Sequence, residues 1–246
     1  MGKLNEMIRF ECITALKPVA ILYIAQWGAL AIFSLVNFLG NGILPFGYML
    51  EFCSMIFIFI FGLLSFQEDF KLFLQNGFTR RQIFFAESTM LVQVAALLAI
   101  IDTMSAGVLM QLSVYYTSLF TALYGVDQAW WMALAWRFVL YIAIAGISYC
   151  AAVLNHRIGK WSLLAFFIVL WVVFLVIVPA ALSELLPMAT FYGVGTKLEQ
   201  LLYYSIGYVN FSPRVINFAY PLTLLIAISG ITFGSAYALV RRASLR

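Results

Sequence analysis

Residues 68–82 read EDFKLFLQNGFTRRQ, five charged side chains within fifteen residues of a chain that is 65% hydrophobic and only 10% charged. What this polar island does depends on how its ends are punctuated. Ser65 and Glu68 have the S-x-x-E spacing of a capping box, in which two side chains satisfy free backbone amides at a helix start. Phe66, Phe70, Phe73 and Leu74 then fall on one helical face, with Gln67, Glu68, Asp69, Lys71, Gln75 and Asn76 covering the rest. Gly77 tolerates positive φ and is a good helix stop. Thr79 and Gln82 repeat the capping spacing. The stretch predicts a short amphipathic helix over 66–76, a tight turn, and a fresh helix.

The rest of the chain sets the medium around that island. Soluble domains are about 45–50% apolar and about 25% charged, whereas this chain has a mean hydropathy of +1.01. Its composition is that of a protein solvated by lipid. A helix needs about 20 apolar residues to cross a bilayer, and six segments qualify: 18–39, 46–65, 83–112, 131–154, 161–182 and 218–240. The third is longer than the hydrocarbon layer and carries Glu87 near its start, so its first turns are expected to project into water. Barrel strands would instead read as alternations of about ten residues, and the sequence has none. The fold class expected is an all-α integral membrane protein, a single transmembrane domain over 1–246. The longest stretch without a strong apolar segment is the 35 residues from Ser183 to Asn217, too little for a separate soluble domain.

Lys and Arg favour the cytoplasmic side of membrane proteins. Lys3, Arg9, Lys17, Lys71, Arg80, Arg81, Arg157, Lys160, Arg241, Arg242 and Arg246 all fall on one side of the six-span layout, eleven of the fourteen basic residues. Both termini and the 68–82 island are therefore predicted to face the cytoplasm. The net charge of +4 follows from this bias and gives no reason to expect nucleic-acid binding. Arg80 and Arg81 read as interfacial anchors for the returning helix. The first apolar segment is longer than a signal-peptide core and reads as an anchor.

Before it, Leu4, Met7, Ile8, Cys12, Ala15 and Leu16 recur at helical spacing and predict an interfacial helix over 1–17, ending before Pro18. Glu11 breaks the pattern by projecting to the apolar side, and Phe10 and Ile13 to the polar one. Cys12, Cys53 and Cys150 have no metal or redox spacing. His156, the sole histidine, reads as a loop residue. Asn210-Phe-Ser212 matches a glycosylation acceptor by chance.

Charges within spans are costly, roughly 2.5–3.5 kcal/mol each at a helix centre. Glu51, Asp102 and Arg137 are of this kind, all in the outer half. They read either as a structural pair, Arg137 with Asp102 or Glu51, or as a polar patch lining a pathway with Gln93, Gln111 and Asn37. Gly230-x-x-x-Gly234 would let another helix approach the last span closely. In the outer segment 183–217, Leu198, Leu201, Leu202 and Ile206 predict a short helix.

The sequence lacks G-x-x-x-x-G-K-[ST], the phosphate loop of ATPases, and lacks H-E-x-x-H. No catalytic residue or metal ligand is assigned, and any ATP hydrolysis is expected on another polypeptide.

Six spans with both termini inside, an interfacial N-terminal helix, a cytoplasmic helix of the type EDFKLFLQNGFTRRQIFF after the second span, and a long outer segment before the last resemble the membrane subunit of ABC-2-type ABC exporters. The resemblance covers the whole chain as a layout. It implies that the 66–76 helix is a coupling helix docking into a dimeric ABC ATPase through Phe66, Glu68, Asp69, Phe70, Phe73 and Leu74, with ATP and Mg on that partner. It further implies a second copy or a related permease subunit, a bacterial cytoplasmic membrane, and export of an amphipathic peptide or hydrophobic compound by alternating access. An ion-coupled secondary transporter using Asp102 and Glu51, or a non-transporting scaffold or immunity protein, are the alternatives.

Overall fold

A computed structural model describes residues 2–40, 49–112, 116–125, 129–158, 196–197, 200–201, 203–205, 207–209, 212–216 and 218–241. The described residues form helices α1 (Gly2–Gly40), α2 (Met49–Gln75), α3 (Arg80–Leu112), α4 (Leu119–Tyr124), α5 (Trp130–Ile158) and α6 (Ala219–Val240), with one short ribbon of strands β1 (Tyr208–Val209) and β2 (Ser212–Ile216). Four helical stretches are long and apolar enough to cross a membrane: Leu4–Ile32, Arg80–Gln111, Trp130–Arg157 and Ala219–Val240; Leu50–Phe66 is a shorter apolar one. The predicted span 161–182 lies outside the described residues.

Two predicted helix boundaries are corrected. The interfacial helix does not end before Pro18, because α1 runs through it without interruption. Proline removes one backbone donor but holds a helical φ. Its neighbours keep one buried stripe, Met7, Glu11, Ala15, Val19, Tyr23, Gln26 and Leu30, from one end of α1 to the other. The burial of that stripe outweighs one missing hydrogen bond. Phe10 and Ile13 lie on the opposite, exposed side.

The second correction concerns the 66–76 segment, which is not separately capped. α2 continues from the apolar stretch straight through it, and the Ser65 hydroxyl points back to the Gly62 carbonyl at 3.5 Å instead of capping a new start. A serine inside a helix satisfies its hydroxyl on the preceding turn, so the S-x-x-E spacing is consumed locally. The break comes later, at Gly77, whose φ is +79°. There Thr79 and Gln82 do form a reciprocal cap: the Thr79 amide donates to Gln82 Oε1 at 2.9 Å, and the Gln82 amide approaches Thr79 Oγ1 at 3.4 Å.

The chain divides into two compact units, Met1–Val153 with Leu225–Arg246, and Leu154–Leu224. In the larger unit the core follows α3, which packs on both α1 and α2. Its basic end is aromatic. Phe66 stacks on Phe70 at 4.6 Å and meets Tyr149 edge-on at 5.9 Å, Phe84 lies 5.1 Å from Tyr237, and Phe73 meets Phe78 at 5.7 Å. The first turns of α3 have one face against this layer, while Arg80, Arg81 and Phe85 on the other are exposed. Ile83, Ala86 and Glu87 are all fully buried, because the helix starts inside this aromatic layer.

Among the described residues, close helix approach occurs at two glycines outside the G-x-x-x-G motif. A Cβ on Gly62 of α2 would lie 2.1 Å from Ser148 Oγ of α5, and one on Gly146 of α5 would lie 2.4 Å from Thr232 Oγ1 of α6. At Gly230 and Gly234 it would meet nothing within 4 Å, so the G-x-x-x-G face is open among the described residues.

In the smaller unit, Thr196–Lys197, Gln200–Leu201 and Tyr203–Ser205 have helical backbone. Leu198, Leu202 and Ile206 fall outside the described residues. Gly207, at φ +99°, turns the chain into the ribbon, which is antiparallel and was not foreseen. Residues 208–216 have no amphipathic alternation strong enough to mark two strands of such length.

The glycine contrast is testable. Gly62→Ala is expected to destabilise the purified protein by about 1–3 kcal/mol through overpacking. Gly230→Ala, which meets no described atom, should gain about 0.4–1 kcal/mol by restricting the unfolded chain. Thermal unfolding in detergent distinguishes the two signs.

Candidate functional site

The charges within the apolar helices gather at the end of the larger unit away from the aromatic layer. Glu51 sits in the first turn of α2 and Arg137 at the start of the third turn of α5, 1% and 2% exposed. At that burial each needs a partner, since hydrocarbon offers none. Arg137 Nε and Nη2 both donate to Glu51 Oε1, at 2.9 and 2.6 Å, and Nη1 donates to Thr103 Oγ1 of α3 at 2.9 Å.

The second carboxylate oxygen of Glu51 has a different task. It accepts the Leu119 backbone amide at 2.5 Å. Leu119 is the first residue of α4, and the first amides of a helix have no partner within it. Ser118 covers the next one: its hydroxyl accepts the Thr121 amide at 3.1 Å while Thr121 Oγ1 accepts the Ser118 amide at 3.0 Å. Phe120 and Tyr124 of α4 then pack on Trp136 of α5 at 5.9 and 6.1 Å. One carboxylate thus neutralises a buried cation and holds the start of a short helix. Outside the spanning helices, burial and then the Glu51 charge push the Tyr116 hydroxyl up from its ordinary pKa.

Asp102 is satisfied without a cation. The Tyr141 hydroxyl donates to Oδ2 at 2.5 Å and the Tyr23 hydroxyl to Oδ1 at 2.8 Å, with the Leu98 carbonyl 3.2 Å from Tyr23. Arg137 and Tyr141 are one turn apart on α5, and Asp102 and Thr103 are adjacent on α3. The two polar groups therefore form one girdle touching α1, α2, α3, α4 and α5. Arg137 takes Glu51, not Asp102, as its partner.

Beside the pair is a cavity of about 140 Å³, lined among others by Thr103, Ser118, Phe120, Thr121, Trp130 and Arg137. Its walls are largely apolar, with three hydroxyls and the guanidinium as polar points. Gln93 and Gln111 are exposed, and Gln93 lies on a different groove, between α1 and α3. The side chain of Asn37 lies outside the described residues. Sequence reasoning missed Tyr23, Thr103 and Tyr141. The only available signal was their helical register, since tyrosine in an aromatic-rich chain carries no mark of its role.

At the basic end, the predicted docking face is largely internal. Phe66, Phe70 and Phe73 are 0%, 2% and 5% exposed, packed in the aromatic layer, and Leu74 is half-buried against it. A face buried in its own chain cannot be the contact surface, so the reading of those three rings as anchors is corrected. The side chains of Glu68 and Asp69 lie outside the described residues. What the elbow exposes is Leu72, Gln75, Asn76 and Thr79. Arg80 Nη1 donates to the Arg241 carbonyl just past α6 at 3.1 Å, and Arg81 is exposed. Glu11 and Glu87 are also buried at this end, both close enough to act on Tyr149.

Removing one partner of a buried ion pair leaves a buried charge and costs about 3–5 kcal/mol. Arg137→Ala is expected to lose that much, and Glu51→Ala on the same background should add only about 1 kcal/mol, the cost of the lost acceptor for the Leu119 amide. A double-mutant cycle read by thermal unfolding in detergent gives the coupling, and additive losses would mean that the pair does not hold the helices. No family model matches the chain, and neither a curated protein nor a solved structure matches it.

Proposed function

We propose that the chain is the membrane subunit of an ATP-driven exporter of the ABC-2 type, driven by a separate dimeric ATPase that holds ATP and Mg and docks at the α2–α3 elbow. The observation that carries this reading is the elbow itself. α2 extends past its apolar stretch Leu50–Phe66 to Gln75, turns at Gly77, and returns through a capped start. A direct connection of spans needs no such extension. Its inner face is clamped by Phe66, Phe70 and Phe73 to Tyr149 and Phe78, while Leu72, Gln75 and Asn76 remain exposed.

In this reading the division of labour along the extension is mechanical. Exposed residues at the tip touch the ATPase, and the buried rings transmit its movement. A push on the tip displaces α2 and α3 together, since Phe73 packs on Phe78 in the tight turn that joins them and α3 packs on α2, and reaches α5 through Tyr149. At the other end the Glu51–Arg137 pair joins the same helices, and the cavity beside it is where an amphipathic peptide or hydrophobic compound would pass. Such a subunit works as a pair, with a second copy or a related permease, in a bacterial cytoplasmic membrane.

Asp102 favours a second reading, an ion-coupled secondary transporter. A carboxylate 1% exposed and held by the hydroxyls of Tyr23 and Tyr141 is a place where a proton could be taken up and released.

The readings separate in one experiment. Leu72→Glu with Gln75→Arg alters only exposed side chains and should leave the folded level unchanged. On the exporter reading it abolishes co-purification of an ATPase and ATP-dependent transport. Association intact after both changes removes the docking role. Transport that needs no ATPase but is lost in Asp102→Asn selects the ion-coupled reading.

A further inference from the structure

A groove of about 290 Å³ runs between α1 and α3 on the outside of the larger unit. Its floor is Ala15, Met90 and Val94, all buried, and its rims are Ile13, Leu16 and Leu97. One end carries Arg9, exposed, and Gln93 is exposed along the α3 side. The rest of its lining is almost wholly apolar.

Both walls belong to helical stretches apolar enough to cross a membrane, Leu4–Ile32 and Arg80–Gln111. α1 and α3 run in the same direction, since Tyr23 meets Asp102 and Cys12 lies with Met90. Arg9 therefore lies at the end of the groove nearer the helix starts, the same end as Arg80 and Arg81. The groove is apolar along its length and cationic at the end nearest the predicted headgroup layer. That is the complement of one acyl chain carrying an anionic headgroup. A basic residue near an anionic leaflet attracts such lipids, and a long Arg stem can cover apolar surface while its guanidinium reaches the headgroups.

The geometry points to a binding site for an anionic phospholipid, an acyl chain lying between α1 and α3 with its phosphate on Arg9 and its glycerol-ester region within reach of the Gln93 amide. The site requires only that the helices lie in a bilayer and is independent of the exporter reading. Bound lipid covers the exposed side chains Ile13 and Leu16 and joins α1 to α3.

The test uses the full chain in phosphatidylcholine nanodiscs containing spin-labelled phosphatidylglycerol or spin-labelled phosphatidylcholine as the probe. Wild type should immobilise phosphatidylglycerol in preference. Arg9→Gln should lower that preference about fivefold, the weight of one basic residue at an anionic surface, and Ile13→Trp, which fills the groove from an exposed position, should reduce it too. Arg81→Gln, equally exposed but off the groove, should leave it unchanged. Equal losses from Arg9→Gln and Arg81→Gln would reduce the effect to diffuse attraction and overturn the site, as would the absence of any preference in wild type. Cys12 supplies a check on the competing occupant. In a Cys53→Ser, Cys150→Ser background, efficient Cys12–Cys12 cross-linking in the same nanodiscs would place a second copy on the groove and also overturn the proposal.

Discussion

A guanidinium buried among apolar helices has to be neutralised within the protein. Arg137 meets that requirement with Glu51 and Thr103, which ties α5 to α2 and α3 at a single point. A lone charge at a helix centre costs roughly 2.5–3.5 kcal/mol to insert, so rotations of α5 that leave Arg137 facing lipid are disfavoured. Once its rotation is set, Tyr141 one turn on must face Asp102, and Asp102 in turn faces Tyr23. The register of α1, α3 and α5 against one another follows from these contacts. Leftover carboxylate capacity on Glu51 then recruits the first amide of α4.

The opposite end of the larger unit is held by different physics. Phe66, Phe70, Phe84, Tyr149 and Tyr237 pack as rings, with Gly62 and Gly146 allowing backbones to approach where a methyl group would collide. Dispersion between closely packed surfaces is what drives helix association in lipid, where apolar transfer contributes little. The polar girdle specifies which faces meet, and the aromatic layer supplies contact area. An element joined to both, as α2 is through Glu51 and Phe66, transmits displacement from one end to the other.

Two local signals with the same sequence form had opposite outcomes. Ser65-x-x-Glu68 and Thr79-x-x-Gln82 share capping spacing, but only the second caps a helix. The difference lies in what precedes them. Gly77 adopts φ +79° and ends α2, leaving amides at Thr79 free to be capped. Nothing ends the helix before Ser65, so there are no free amides to satisfy. Pro18 is similar: a start signal is overridden because the buried stripe on α1 continues past it. Caps act on helix ends but do not create them.

The sequence by itself determined the helical class, the apolar stretches, the stop at Gly77 and the three side chains whose charge needed explaining, Glu51, Asp102 and Arg137. These depend on composition and on spacing within one helix, which the order of residues contains. Tertiary structure decided that Arg137 takes Glu51 while Asp102 is held by phenols, that Phe66, Phe70 and Phe73 face inward, and that Gly62 and Gly146 are points of close approach among the described residues. Each of these is a choice between faces of different helices far apart in the chain. Helical periodicity shows which residues share a face but not which helix that face meets, and in an apolar chain most faces are equally oily. Only packing, by burying one charge against one partner, makes the faces distinct.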